Sequence, residues 1–146
     1  MSNEIALMRE IAKLQEQINA LRTIEIGGVW NDFTPTLSGW ASDPAGGKYR
    51  YTIIGKTCTV MVNQPNAATS DATTTTISLP FQAAASGIWT TSTRFVDNGT
   101  GSTKSGIAVI IAEGVVIDFY TDWNYAVWTA SGNKRIVHCV ITYEIA

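Results

Sequence analysis

Leucine recurs every seventh residue at Leu7, Leu14 and Leu21, with Ile11 and Ile18 between them. This is the three-and-four spacing of a coiled-coil seam, isoleucine at a and leucine at d. Glu4, Arg9, Glu10, Lys13, Glu16, Arg22 and Glu25 crowd the same stretch, so residues 1–26 are expected to form one helix. Gly27-Gly28 then ends it and supplies a joint. The stripe fits a parallel coil between copies of the chain, and it also fits a lone amphipathic helix laid on the protein's own core. Five seam side chains contribute at most ~1.5–3 kcal/mol each on full burial, while ordering each backbone residue costs ~1–2 kcal/mol. A coil of under three heptads therefore needs support from the rest of the chain.

From Val29 onward the apolar period falls to two and no second helical pattern appears, so residues 27–146 are expected to form one all-β domain. Strands are predicted over Lys48–Ile54 and Thr57–Asn63, separated at Gly55-Lys56 by a hairpin turn or a bulged bend, with Cys58, Val60 and Val62 on one face and Thr57, Thr59 and Met61 on the other. Further strands are predicted over residues 73–78, ended by Leu79-Pro80, and over Trp89–Val96, closed by the turn Asp97-Asn98-Gly99. Residues 107–112 and 115–120 flank Glu113-Gly114 as a tight hairpin, and 135–145 form a long final strand after Ser131-Gly132-Asn133. About eight strands at this spacing predict an antiparallel, jelly-roll-like β-sandwich. Ile107, Val109 and Ile111 fill one face of their strand while Ala108, Ile110 and Ala112 leave the other apolar too. A strand without a polar side implies a subunit interface or a central position, and beside a coil the interface is the more economical.

Composition narrows the partners. The 146 residues are 45% hydrophobic and 15% charged, which fits one folded domain with a short appendage. Ten basic against twelve acidic residues give a net charge of −2, no footprint for nucleic acid. Membrane insertion is not expected, because no run approaches the ~20 apolar residues of a spanning helix. Met1-Ser2-Asn3-Glu4 lacks the basic flank and apolar run of a secretory signal, so folding in a cytoplasm is expected. Cys58 and Cys139 have no CxxC spacing and are expected to be buried, free and inert, with no metal site and no cofactor.

Catalytic constellations are weak. His138 and Cys139 are adjacent in a predicted strand and so point to opposite faces; a thiol–imidazole pair would have to be Cys58 with His138. The segment Gly99-Thr100-Gly101-Ser102-Thr103-Lys104-Ser105 places Thr103 where a phosphate loop needs glycine, and a strand comes next where that loop needs a helix. Asp118 and Asp122 form a carboxylate pair of a spacing common by chance, with Asp122 better suited to capping a turn. The run from Thr73 to Thr76 reads as an exposed strand or loop. No enzymatic activity is expected. The densest recognition-type cluster is Tyr120, Asp122, Trp123, Asn124, Tyr125 and Trp128. Aromatic rings meet the C–H faces of sugars while Asp and Asn meet their hydroxyls, so Asp122, Trp123, Asn124, Tyr125 and Trp128 are the candidate glycan-binding residues. The alternative is that Trp123 and Trp128 pack internally, as Trp30, Trp40 and Trp89 are expected to do.

Four segments occur in an order similar to that of one family: Trp30-Asn31-Asp32-Phe33-Thr34-Pro35-Thr36-Leu37, Tyr51-Thr52-Ile53-Ile54-Gly55-Lys56-Thr57-Cys58-Thr59-Val60, Ile77-Ser78-Leu79-Pro80-Phe81 and Ile141-Thr142-Tyr143-Glu144-Ile145. Together they resemble the β-sandwich tip domains of bacteriophage tail fibres, receptor-binding proteins and head fibres. The resemblance implies a homotrimer on a coiled stem, exposed on the virion and attaching to a host surface, with bacterial polysaccharide as the expected ligand. Isolated coils with Ile at a and Leu at d favour two strands, so the trimer is what the resemblance implies and not the seam. Longer tail fibres carry a separate N-terminal docking domain, whereas here the coil comes almost first. The helix is thus expected either to dock on other virion proteins or to anchor a head fibre or decoration protein to the capsid. A glycan-degrading fibre is the remaining alternative.

Overall fold

The computed structural model describes residues 2–26, 28–99 and 104–146, with side chains described for 2–19, 28–99 and 104–146. Ser2–Ile26 form one helix, α1. Glu4 in its first turn suits the positive end of the helix dipole, and Glu10 pairs with Lys13 at 3.0 Å, an exposed contact worth ~0.2–0.5 kcal/mol. Leu7, Ile11, Leu14 and Ile18 are all exposed and none joins the core, so the stripe is not laid on the chain's own β body. The side chain of Leu21 and the whole of Gly27 lie outside the described residues.

After the helix, the described residues form ten strands: β1 (Asn31–Asp32), β2 (Leu37–Ser38), β3 (Lys48–Ile54), β4 (Thr57–Asn63), β5 (Ala68–Thr69), β6 (Thr76–Ser78), β7 (Trp89–Val96), β8 (Lys104–Ile110), β9 (Val116–Tyr120) and β10 (Asn133–Glu144). All pairings are antiparallel, in the order β1-β3-β4-β10-β7-β8-β9-β6-β2, with β5 also on β10. β3 and β4 form a two-residue hairpin around Gly55-Lys56 and not a bulged bend, Ile54 facing Thr57, with Gly55 at φ +61° as a turn of this kind requires.

β10 joins the two halves. Its first part pairs with β7 and its second with β4, and between Ile136 and His138 the register slips, leaving Val137 as an extra residue. The inward set therefore changes from Lys134 and Ile136 to Cys139, Ile141 and Tyr143, and a bulge of this kind sharpens the local twist. The sheet curls until Cys58, Val60 and Val62 of β4 share one core with Phe95 of β7, Ala108 and Ile110 of β8, and Ile117 and Phe119 of β9.

Several sequence expectations change. The strand expected over 73–78 shrinks to β6, because the carbonyls of Thr73, Thr74 and Thr75 accept from Trp128 N, Lys134 Nζ and Phe119 N. Thr75 is buried, not exposed. The β8–β9 turn closes one residue earlier than expected, with Gly114 N donating to Ile111 O at 2.9 Å and Glu113 at φ +57°. Ile107 and Val109 are buried within the single chain, flanked in register by Ser92 and Thr90 of β7 and by Tyr120 and Asp118 of β9. Only Ile111 of that row is exposed, so burying the strand's second face does not require another subunit.

Candidate functional site

The segment joining β9 to β10 is built from local hydrogen bonds. Asp122 Oδ1 accepts from the amides of Asn124 at 2.8 Å and Ala126 at 3.0 Å, and Ala126 O accepts from Thr121 N at 2.9 Å and Thr121 Oγ1 at 3.1 Å. Asp122 thus organises the loop by taking the backbone donors a turn would otherwise leave open. Tyr125 sits at φ +61°, a left-handed conformation costing a bulky residue ~1–2 kcal/mol, held by the Asp122 bracket on either side of it. The result pushes two aromatic rings outward: Trp123 is 58% and Tyr125 53% exposed. Tyr125 meets Tyr120 edge-on at 5.0 Å, and burial, followed by Asp118 and Tyr125, raises the Tyr120 phenol. Asn124 is exposed between them.

Trp128 goes the other way. It is 2% exposed, its Nε1 donates to Phe119 O at 2.7 Å, and its ring stands edge-on to Phe95 at 4.7 Å. It packs inside, and no ligand reaches its face. The surface set is therefore Trp123, Asn124 and Tyr125, with Asp122 as their support. Trp40 is also internal and Trp89 packs against Tyr143, but Trp30, expected to pack, is exposed, with Arg50 at 5.9 Å over its ring.

Beneath the loop lies a feature that sequence reasoning missed. Lys134 is fully buried, and its Nζ donates to Thr75 Oγ1 at 2.9 Å, Ala72 O at 3.1 Å and Thr74 O at 3.4 Å. The indoles of Trp40 and Trp128 stand 5.2 and 5.6 Å from the same nitrogen. Burial lowers the ammonium to about 8, against the opposing pull of Asp71 and Asp97. The cage ties the 72–75 segment to the base of the loop, since Trp128 N also donates to Thr73 O, and the Asp97 carboxylate accepts from Thr129 N and Oγ1.

The groups weighed for catalysis do not converge. His138 is exposed on the outer face of β10, whereas Cys58 and Cys139 point inward. Burial raises the Cys58 thiol, and pushes Cys139 up to about 12 against a bond from Thr93. Burial also raises Asp118, while Asp122 is committed to its loop. Thr100, Gly101, Ser102 and Thr103 lie outside the described residues. Among the described residues no group of His, Cys, Asp and Glu is placed to hold a metal, and no helix is long and apolar enough to cross a membrane. Both thiols are free and buried, so the native chain is expected to resist a thiol reagent and the unfolded chain to titrate two thiols. Rapid native labelling, or fewer than two thiols after denaturation, would contradict that placement.

A cleft of about 430 Å³, lined by Asp32, Phe33, Gly47, Lys48, Tyr49 and Arg50, opens at the β1–β3 edge. No protein-family model matches the chain, and a search of curated proteins finds no match for it either.

Proposed function

We propose that this chain is a structural bacteriophage virion protein: a homotrimeric fibre or spike whose curled sheet serves as a jelly-roll-like sandwich tip and binds host-surface polysaccharide. Leu7, Ile11, Leu14, Ile18 and Leu21 form the axial seam, and the β body is displayed beyond it. The observation that carries the attachment role is the pair of outward rings, Trp123 and Tyr125, on a loop braced from below by Asp122 and the Lys134 cage. Rigid aromatic platforms beside an exposed amide suit pyranose faces and hydroxyls, and three copies on one axis turn weak single-site binding into firm attachment. The reading is of binding and not cleavage, because Asp122 is taken up by its own loop, both thiols are buried, and His138 lies on the face opposite them.

The capsid-anchored alternative, a head fibre or decoration protein, draws support from Ile5 and Met8. Both are exposed and lie off the a and d positions, which suits contact with another virion protein. Either way the tip is tested by one comparison. Trp123→Ala/Tyr125→Ala is expected to reduce binding of the intact chain to bacterial cells and to a panel of purified surface polysaccharides by about tenfold or more, with unchanged mass and melting. Full binding by the folded double variant would place the ligand elsewhere. Light scattering of the wild-type chain should give three times the chain mass.

A further inference from the structure

The outer face of β3, β4 and β10 is built for contact. Register aligns its side chains in a polar rim pair, Lys48–Asn63, and three rows, Arg50–Met61–Val140, Thr52–Thr59–Thr142 and Ile54–Thr57–Glu144. The alternate residues of these strands, Cys58, Val60, Val62, Cys139, Ile141 and Tyr143, all face the core, so the rows lie on the outer face, where Thr52 alone is already buried, beneath the chain's own Gly28. The rows carry one positive and one negative charge, at opposite corners, and Arg50 already stands 3.0 Å from Asp32. The remainder is hydroxyl and apolar. Ile54 is 57% and Val140 39% exposed, and the Thr59 and Thr142 hydroxyls join at 2.9 Å across the middle row. A hydroxyl pair spends one of its two protons internally and keeps the other for an outside acceptor.

The chain enters the β body across this same face. Gly28 lies against Thr52, where an added Cβ would overlap Thr52 Oγ1 and press on Ile54 at 3.2 Å. Gly28 comes only two positions after Ile26 at the end of α1, so the helix terminus lies within ~7 Å of chain from these rows. Exposed Val29 and Trp30 continue the apolar surface from the joint. Helices packed in a coil lie ~8–10 Å apart, so drawing the helix ends of several copies together draws this face of each copy toward the same axis. A seam of under three heptads does not hold such an assembly unaided. The outward row of β8, the other candidate, is already closed within the chain except at Ile111.

We propose that the outer face of β3, β4 and β10 is the surface through which the β bodies of neighbouring copies of this chain meet. The proposal rests on the reading of α1 as a parallel seam, and its test separates the two. Sedimentation of the full-length chain across a concentration series is compared for wild type, for Thr59→Lys/Val140→Lys on the face, and for Ile11→Lys/Leu14→Lys on the seam. The face variant is expected to need about tenfold or more higher concentration to assemble, with the circular dichroism of its β body unchanged. If it fails to fold, Val140→Lys alone, at an exposed position, carries the same expectation with about a threefold shift. Unchanged assembly by the folded face variant, with dissociation of the seam variant, would overturn the face and leave the seam standing. Loss of assembly in the face variant alone would support the face and refute the seam. A wild-type chain that stays monomeric throughout would defeat both. Unchanged assembly with lost cell binding would give the face to a ligand instead.

Discussion

Lys134→Ala is expected to cost the fold about 3–5 kcal/mol, because it opens a cavity between two indoles and strips donors from Ala72 O, Thr74 O and Thr75 Oγ1. For a chain of this size that is about 10–15 °C in melting temperature. Lys134→Met separates the two causes, since the thioether chain refills the space without donating, and about half the loss should return. Equal losses in the two variants would mean that the hydrogen bonds carry all of the effect. The pH dependence has a definite sign. The folded ammonium is lowered to about 8 from an ordinary 10.5, so between these values the unfolded chain holds more protons and stability from this group rises with pH. Below about 8 both states are protonated and the contribution is flat. Denaturant midpoints of wild type minus Lys134→Met, taken from pH 7 to 10, should climb across that window. A flat difference would show that the buried amine titrates as it does in the unfolded chain.

Trp128→Ala is expected to lose a further-reaching set of contacts, again about 3–5 kcal/mol, as a large core ring leaves Phe95 and Phe119 O without their partner. Trp123→Ala, five residues earlier, should stay within about 0.5 kcal/mol of wild type. Trp128→Phe keeps most of the volume but not the Nε1 donor, and should cost about 1–3 kcal/mol. Thermal melts of the three variants give the comparison directly. A stable Trp128→Ala would contradict its packing, and an unfolded Trp123→Ala would remove the exposed ring from consideration as a binding platform.

These two tryptophans also show where sequence reading stops. The Asp122 turn was legible because its acceptor and both donors lie within four residues. The fate of Trp128 depends on Phe95 and Thr73, which the fold brings from far along the chain. For the same reason α1, β3, β4, β7 and most of β10 follow from their periods, whereas β1, β2 and β5 are two-residue pairings too short to have one. Lys134 was unreadable in a stronger sense. A lysine beside a turn is ordinarily solvated, and nothing near it in sequence announces that residues 40, 72–75 and 128 will close around it.

The placement of β10 governs when the molecule can come into being. It is the last of the ten strands to be synthesised, yet it is the one that joins β4 to β7, and the Thr59–Thr142 contact spans 83 residues. Vectorial synthesis therefore delivers two unfinished half-sheets whose facing edges both await the same strand. Pairing at such separations is slow, in the range of milliseconds to seconds for β topologies, and during the wait β4 and β7 are open to strands from neighbouring nascent chains. If α1 forms the proposed seam, the helix, made before any of these strands, is free to find its counterparts before any body has closed. On a polysome carrying many copies, subunit pairing would then precede tertiary closure, and the assembly would be chosen while its parts were still incomplete.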